Sequence, residues 1–108
     1  MNEAARFRAL LENDPTDHRS WAELGRILMK MGRPAEAVEP LQRAVELEPE
    51  DTAAHRDLGR SLLDSDNPTM AAEIFARAIG LAEAAGDIQT GHEIHSFLRQ
   101  AEKRLDQR

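Results

Sequence analysis

Apolar residues along the chain recur at helical intervals rather than alternating, and the pattern comes twice. Trp21, Leu24, Gly25, Leu28 and Met31 stand at the i, i+3, i+4, i+7 spacing of one helical face. Gly32-Arg33-Pro34 breaks the pattern, and Pro34 fits the first turn of a new helix, where its missing N–H costs nothing. That helix turns Ala37, Val38, Leu41, Ala44, Val45 and Leu47 to one side and stops near Glu48-Pro49. A second pair follows the same plan. Leu58, Gly59, Leu62 and Leu63 form its first face, Asp66-Asn67-Pro68 is the turn with Asn67 as N-cap, and Ala71, Ile74, Phe75, Ala78, Ile79 and Leu81 form its second.

Displacing the sequence by 34 residues aligns 18–51 with 52–85 without a gap, and ten of the 34 positions are identical. Among them are Leu24/Leu58, Gly25/Gly59, Arg26/Arg60, Pro34/Pro68, Ala37/Ala71 and Ala44/Ala78. A fixed period of this size marks stacked two-helix units, each unable to bury its apolar face alone. The small residues at 25/59, 37/71 and 44/78 predict that helices approach closely there.

These residues resemble the tetratricopeptide repeat, whose motif runs W-x2-L-G-x2-Y, then A-x3-F, a small residue and a terminal Pro. The first unit matches with Trp21, Leu24, Gly25, Leu28, Ala37, Leu41, Ala44 and Pro49. The second matches with Leu58, Gly59, Leu62, Ala71, Phe75 and Ala78, and departs with His55 in the Trp place and Glu83 in the Pro place. One period earlier, Phe7 and Pro15 take the Phe and Pro places, so residues 3–12 read as the second helix of a truncated repeat, with Leu10 where a small residue is usual. After Gly86-Asp87, Ile94, Phe97, Leu98, Ala101 and Leu105 form one more stripe, out of the 34-residue register and running to about 106. The expected organisation is a half-repeat (1–17), two repeats (18–51 and 52–85) and a capping helix (86–108) with Glu93, Arg99, Lys103 and Arg104 outward.

The fold class is therefore all-α, a short solenoid of about six antiparallel helices. Composition agrees: Ala, Leu, Glu, Arg and Lys make up 55 of the 108 residues, whereas Val, Ile and Thr supply 11. Pro40 lies inside the second helix of the first unit, where a lost backbone bond predicts a local bend. Arrays of this kind usually need about three repeats, so moderate stability or a weak homodimer is expected. Without Cys there is no disulfide, thiol nucleophile or Cys zinc site. The N-terminus has no leader pattern and no apolar run could span a membrane, which gives a cytoplasmic default. A net charge of −6 argues against nucleic acid as partner.

Resemblance to the family implies a concave face lined by the first helix of each repeat. The corresponding residues are Arg19, Ala22, Arg26, Met29 and Lys30, then Ala53, Arg56, Arg60, Leu63 and Asp64. That stripe holds five bases and one acid, net +4, against net −10 for everything else. One reading is a groove for a protein or peptide segment with acidic groups, bound by arginine forks and by apolar contact with Met29 and Leu63. The other is a solvated face whose arginines pair locally, as Glu23 precedes Arg26 and Asp57 precedes Arg60 by three residues. Some co-chaperones of the family hold a terminal carboxylate with Lys and Asn; Ala22, Arg26 and Asp57 stand there instead, so that clamp is not reproduced.

No cofactor, metal or catalytic set is expected. His92-Glu93-Ile94-His95 lacks the i, i+4 spacing of a zinc helix. The four serines have no glycine-rich elbow, and no phosphate loop appears. The chain reads as a non-catalytic interaction module, or as a structural module that self-associates with its groove empty.

Overall fold

The computed structural model describes residues 2–107 as six helices: α1 (Glu3–Asn13), α2 (His18–Lys30), α3 (Pro34–Leu47), α4 (Thr52–Asp64), α5 (Pro68–Ala85) and α6 (Ile88–Asp106). No strand occurs among the described residues. Pro34 and Pro68 open α3 and α5, and α3 runs through the buried Pro40 as a single helix. Aspartate caps α2, α4 and α6: Asp17 accepts from the Arg19 and Ser20 N–H groups, Asp51 from Ala54 and Asp87 from Thr90. These caps lie 34 and then 36 residues apart. The extra two residues arise because α5 is four residues longer than α3, 18 against 14, while the turn after it is two residues shorter. Allowing for them, α6 takes the place of a third first helix, with buried Ile94 where α2 and α4 have Leu24 and Leu58.

Each helix packs on the next, and α4 also touches α2 and α6; α1, α3 and α5 do not touch one another. Helices in contact form the inner layer and separated ones the outer layer, so the stack curves with α2, α4 and α6 on its concave side. The extents of 41 × 31 × 19 Å give a slab about two helix diameters thick. Its core runs through Leu24, Leu28, Leu41, Leu58, Phe75 and Ile94.

Two glycines set the spacing between layers. A carbon added at Gly25 would lie 2.6 Å from Leu41 Cδ2, and one at Gly59 would lie 2.7 Å from Phe75 Cδ1. Either distance is shorter than van der Waals contact allows, so the close approach expected from sequence is a packing requirement. Trp21 is fixed from the side by its indole N–H, which donates to the Pro15 carbonyl at 2.8 Å. The turns after α2 and α4 each carry a left-handed residue, Gly32 (φ 74°) and, in the equivalent place, Asp66 (φ 64°). No helix among the described residues is long and apolar enough to cross a membrane.

Gly59→Leu should lower stability by about 1–3 kcal/mol or more through overpacking, whereas Glu50→Ala on the exposed turn should stay within about 0.5 kcal/mol of wild type. Urea midpoints at unchanged slope check this, and equal midpoints would contradict the packing. Acid should weaken the inner helices at their caps. The Ser20 hydroxyl and N–H hold the Asp17 carboxyl below its ordinary value of 3.8, and the Thr90 side chain and N–H do the same for Asp87. A lowered native pKa stabilises above the ordinary value and is lost as pH falls through the native one. Stability should therefore fall as pH drops below about 4, and Asp17→Asn, which caps without titrating, should flatten part of that fall in thermal scans.

Candidate peptide-binding groove

On the concave side, α2 and α4 border a recess of about 260 Å³ lined by Arg26, Met29, Lys30, Asp57, Arg60 and Asp64. Four residues expected to face a ligand, Arg26, Met29, Lys30 and Arg60, thus share one surface. Lys30 and Arg60 are exposed, and Arg26 and Met29 are half-buried. Arg19 is exposed but stands outside the recess, near the start of α2. Two expected lining residues are turned into the protein. Ala22, 3% exposed, packs with Ala44 and Ala54 between α2, α3 and α4. Leu63, 2% exposed, belongs to the main core. A position one step off the packing face of a lone helix becomes interior once helices close on both sides.

The arginines are held by a chain of charges across the inner layer. Arg26 Nε donates to Asp57 Oδ2 at 2.9 Å, joining α2 to α4. Arg56 Nε donates to the other oxygen, Oδ1, at 3.1 Å, and Arg56 Nη1 reaches Glu93 Oε1 on α6 at 3.3 Å. Glu23 completes the chain, 3.6 Å from Arg26 Nη1. Asp57 has a side chain only 12% exposed, so its charge depends on the two guanidiniums. Of the local pairs expected from sequence, Glu23 with Arg26 is present; Asp57 turns to Arg26 and Arg56 rather than to Arg60. Beyond Asp64, already counted in the stripe, three carboxylates (Glu23, Asp57 and Glu93) pair with Arg26 and Arg56, which brings the +4 counted along the sequence to +1 in space. The signal was in the sequence, because Glu23, Asp57 and Glu93 recur at spacings of 34 and 36 residues.

Arg60 is held more loosely. Its Nε is 3.9 Å from Asp64 Oδ2, and its guanidinium lies 5.5 Å from the ring centroid of Phe97 on α6. Phe97 stacks in turn on Phe75, centroids 5.8 Å apart. Arg104 Nη1 donates to the Leu63 carbonyl at 2.6 Å, satisfying an acceptor in the last turn of α4. Lys30 has no ion pair among the described residues, so its ammonium and the outer N–H groups of Arg60 are the cationic donors most open to a ligand.

His92 and His95 are exposed on α6 and border a separate pocket of about 320 Å³ against α5 with Ile79, Ala82 and Ile88. Among the described residues, no three His, Asp or Glu side chains are grouped to hold a metal ion.

Two layers of antiparallel helices with a two-helix unit repeating along the stack make this a helical-repeat solenoid. The tetratricopeptide repeat model matches residues 3–47 and 23–88, and the chain belongs to that family. Solved structures share the fold. The TPR2B domain of yeast Sti1, in a complex with pHsp70, superposes at TM-score 0.85 with 17% identity, covering 94% of this chain and 81% of that one. SycD, the type III secretion translocator chaperone of Yersinia enterocolitica, gives 0.86 at 17% identity, with 95% and 72% covered. PcrH, in complex with the chaperone binding region of PopD, gives 0.85 at 19% identity, with 94% and 77% covered. No curated protein sequence matches the chain.

Asp57→Ala leaves two half-buried guanidiniums without their shared acceptor and should cost about 1–2 kcal/mol, a drop of roughly 4–16 °C in Tm. Asp64→Ala, which breaks only an exposed 3.9 Å pair, should move Tm little. Equal shifts in calorimetry would mean that Asp57 does not join the inner layer.

Proposed function

We propose that this chain is a non-catalytic protein-interaction module that binds a peptide segment across its concave face. An acidic group of the segment lies against Lys30 and Arg60, and an apolar side chain lies on Met29. The observation that carries this reading is the recess between α2 and α4, which gathers Arg26, Met29, Lys30 and Arg60 around one cavity. None of its lining residues is a nucleophile set beside a base, so what it offers is recognition. The complexes of Sti1 with pHsp70 and of PcrH with a segment of PopD support peptide binding as a use of this fold.

The charge chain narrows the ligand. Arg26 and Arg56 already spend their Nε donors on Asp57. A run of acidic residues would be repelled by Asp57, Asp64 and Glu93, whereas one or two carboxylates beside an apolar residue match the free donors. Ala22 and Leu63, being buried, take no part in contact.

The test is a short peptide carrying one glutamate beside a leucine, compared with its lysine counterpart by NMR titration. The acidic peptide should shift the Met29, Lys30 and Arg60 signals, bind more weakly as salt rises and shortens the Debye length to about 8 Å or less, and lose most of its affinity to Lys30→Ala with Arg60→Ala. Equal binding of the lysine peptide, or shifts confined to other surfaces, would reject the acidic-peptide groove.

A further inference from the structure

The outer layer holds a second recess, which takes no part in the groove. α1 and α3 do not touch, and the gap between them, about 440 Å³, reaches down to Trp21 and Leu24 on α2. Three consecutive helices bound it, so it does not depend on what adjoins the chain. Buried Leu11 and Leu24 close its base, and Pro15 and Pro40 add apolar walls. Trp21 is partly exposed here, whereas its smaller counterpart in the second repeat, His55, is 4% exposed. The indole N–H is already donated to the Pro15 carbonyl. What Trp21 adds to the lining is therefore ring surface without a donor.

Around this apolar floor the rim is acidic. Glu12 comes from α1, and Glu36 and Glu39 from α3, against a single base, Arg8. Glu36 is 3.5 Å from Arg33, while Glu12 and Glu39 have no ion pair among the described residues. Pro40 leaves one more acceptor on the same wall: it has no N–H, so the Glu36 carbonyl lacks its ordinary helical donor. An aromatic ring on an apolar floor, with acceptors from two helices, fits a cation carried on an apolar stem. A guanidinium suits it better than an ammonium, because its plane stacks on aromatic rings and its several N–H groups serve more than one acceptor. The walls at Pro15 and Pro40 remain for a neighbouring apolar residue, which makes the occupant a peptide segment rather than a free guanidinium compound. We propose that this recess docks an arginine of a partner protein segment, with the guanidinium on Trp21 and its N–H groups towards Glu12 and Glu39. This inference is independent of what the groove binds.

Trp21 is the only tryptophan, so its fluorescence reports on this recess. A short amidated peptide carrying one arginine beside a leucine should change that emission saturably, and should bind more weakly as salt rises. Its lysine counterpart should bind more weakly, and its glutamate counterpart should leave the emission unchanged. Glu12→Gln with Glu39→Gln should weaken the arginine peptide by about two- to fivefold for each carboxylate lost. Arg8→Gln should tighten it, and Lys30→Ala with Arg60→Ala should leave it unaltered. All the substituted side chains are exposed, and far-UV circular dichroism checks that each variant is folded. An emission that does not respond to a few millimolar arginine peptide, equal binding of the glutamate peptide, or an affinity unmoved by loss of both carboxylates would overturn the proposal. So would binding that needs Lys30 and Arg60, or free argininamide that binds as tightly as the peptide.

Discussion

The fold depends on one steric constraint: an outer-helix side chain, Leu41 or Phe75, fills the space where an inner helix carries no side chain, at Gly25 or Gly59. That contact sets the distance between layers and so lets Leu24, Leu28, Leu58 and Ile94 meet in one core. It reaches the concave face as well. The Phe75 ring that requires Gly59 also stacks on Phe97, and Phe97 supports the guanidinium of Arg60. A residue proposed to meet a ligand is thereby two ring contacts away from the tightest point of the core. Its position is a consequence of packing more than of its own exposed ion pair, which contributes little.

The charge chain Glu23–Arg26–Asp57–Arg56–Glu93 works differently from a set of surface salt bridges. Its centre is largely shielded, and its links join three helices that are distant in sequence. Long cationic side chains free in solvent must be ordered when a ligand arrives, at a cost of about 0.5–1.5 kcal/mol each. Folding has already ordered Arg26 and Arg56. They shape the wall of the groove and hold part of its field, while Lys30 and Arg60 remain available. The compensation also limits the attraction: a face read from sequence as strongly basic is, in three dimensions, a few directed donors among carboxylates.

Much of the architecture was legible because a repeat states each packing rule twice. Gly25 with Gly59, Pro34 with Pro68 and Ala44 with Ala78 announced close approach, helix start and thin interface before any contact was known. The register of α6 is harder to read, because α5 continues to Ala85 and the next cap is Asp87, 36 rather than 34 residues after Asp51. The aspartate caps, each with a partner three residues on (Ser20, Ala54, Thr90), keep the count across that insertion, as do Glu23, Asp57 and Glu93. The site was partly legible. A helical wheel separates faces of one helix, yet Ala22 and Leu63 are buried by neighbours that a wheel does not contain. Asp57 could be placed on a face from sequence, but not assigned between Arg26, Arg56 and Arg60, since that choice depends on how α2 and α4 cross.

The size of the recess constrains what the groove can recognise. An array offers one such recess for each neighbouring pair of inner helices, and this chain has two pairs. Between α4 and α6 the space is crossed by Arg56–Glu93 and by Arg60 over Phe97, whereas between α2 and α4 the single Arg26–Asp57 bridge forms part of the recess lining. Helices that pack side by side stand about 8–10 Å apart, and an extended chain advances about 3.3 Å per residue. A segment bound there as proposed would therefore cross the surface between α2 and α4 in about three residues. In the proposed mode of binding, recognition by so short a stretch comes from the order of its side chains, one acidic beside one apolar, and a longer partner would gain affinity by adding contacts beyond the recess.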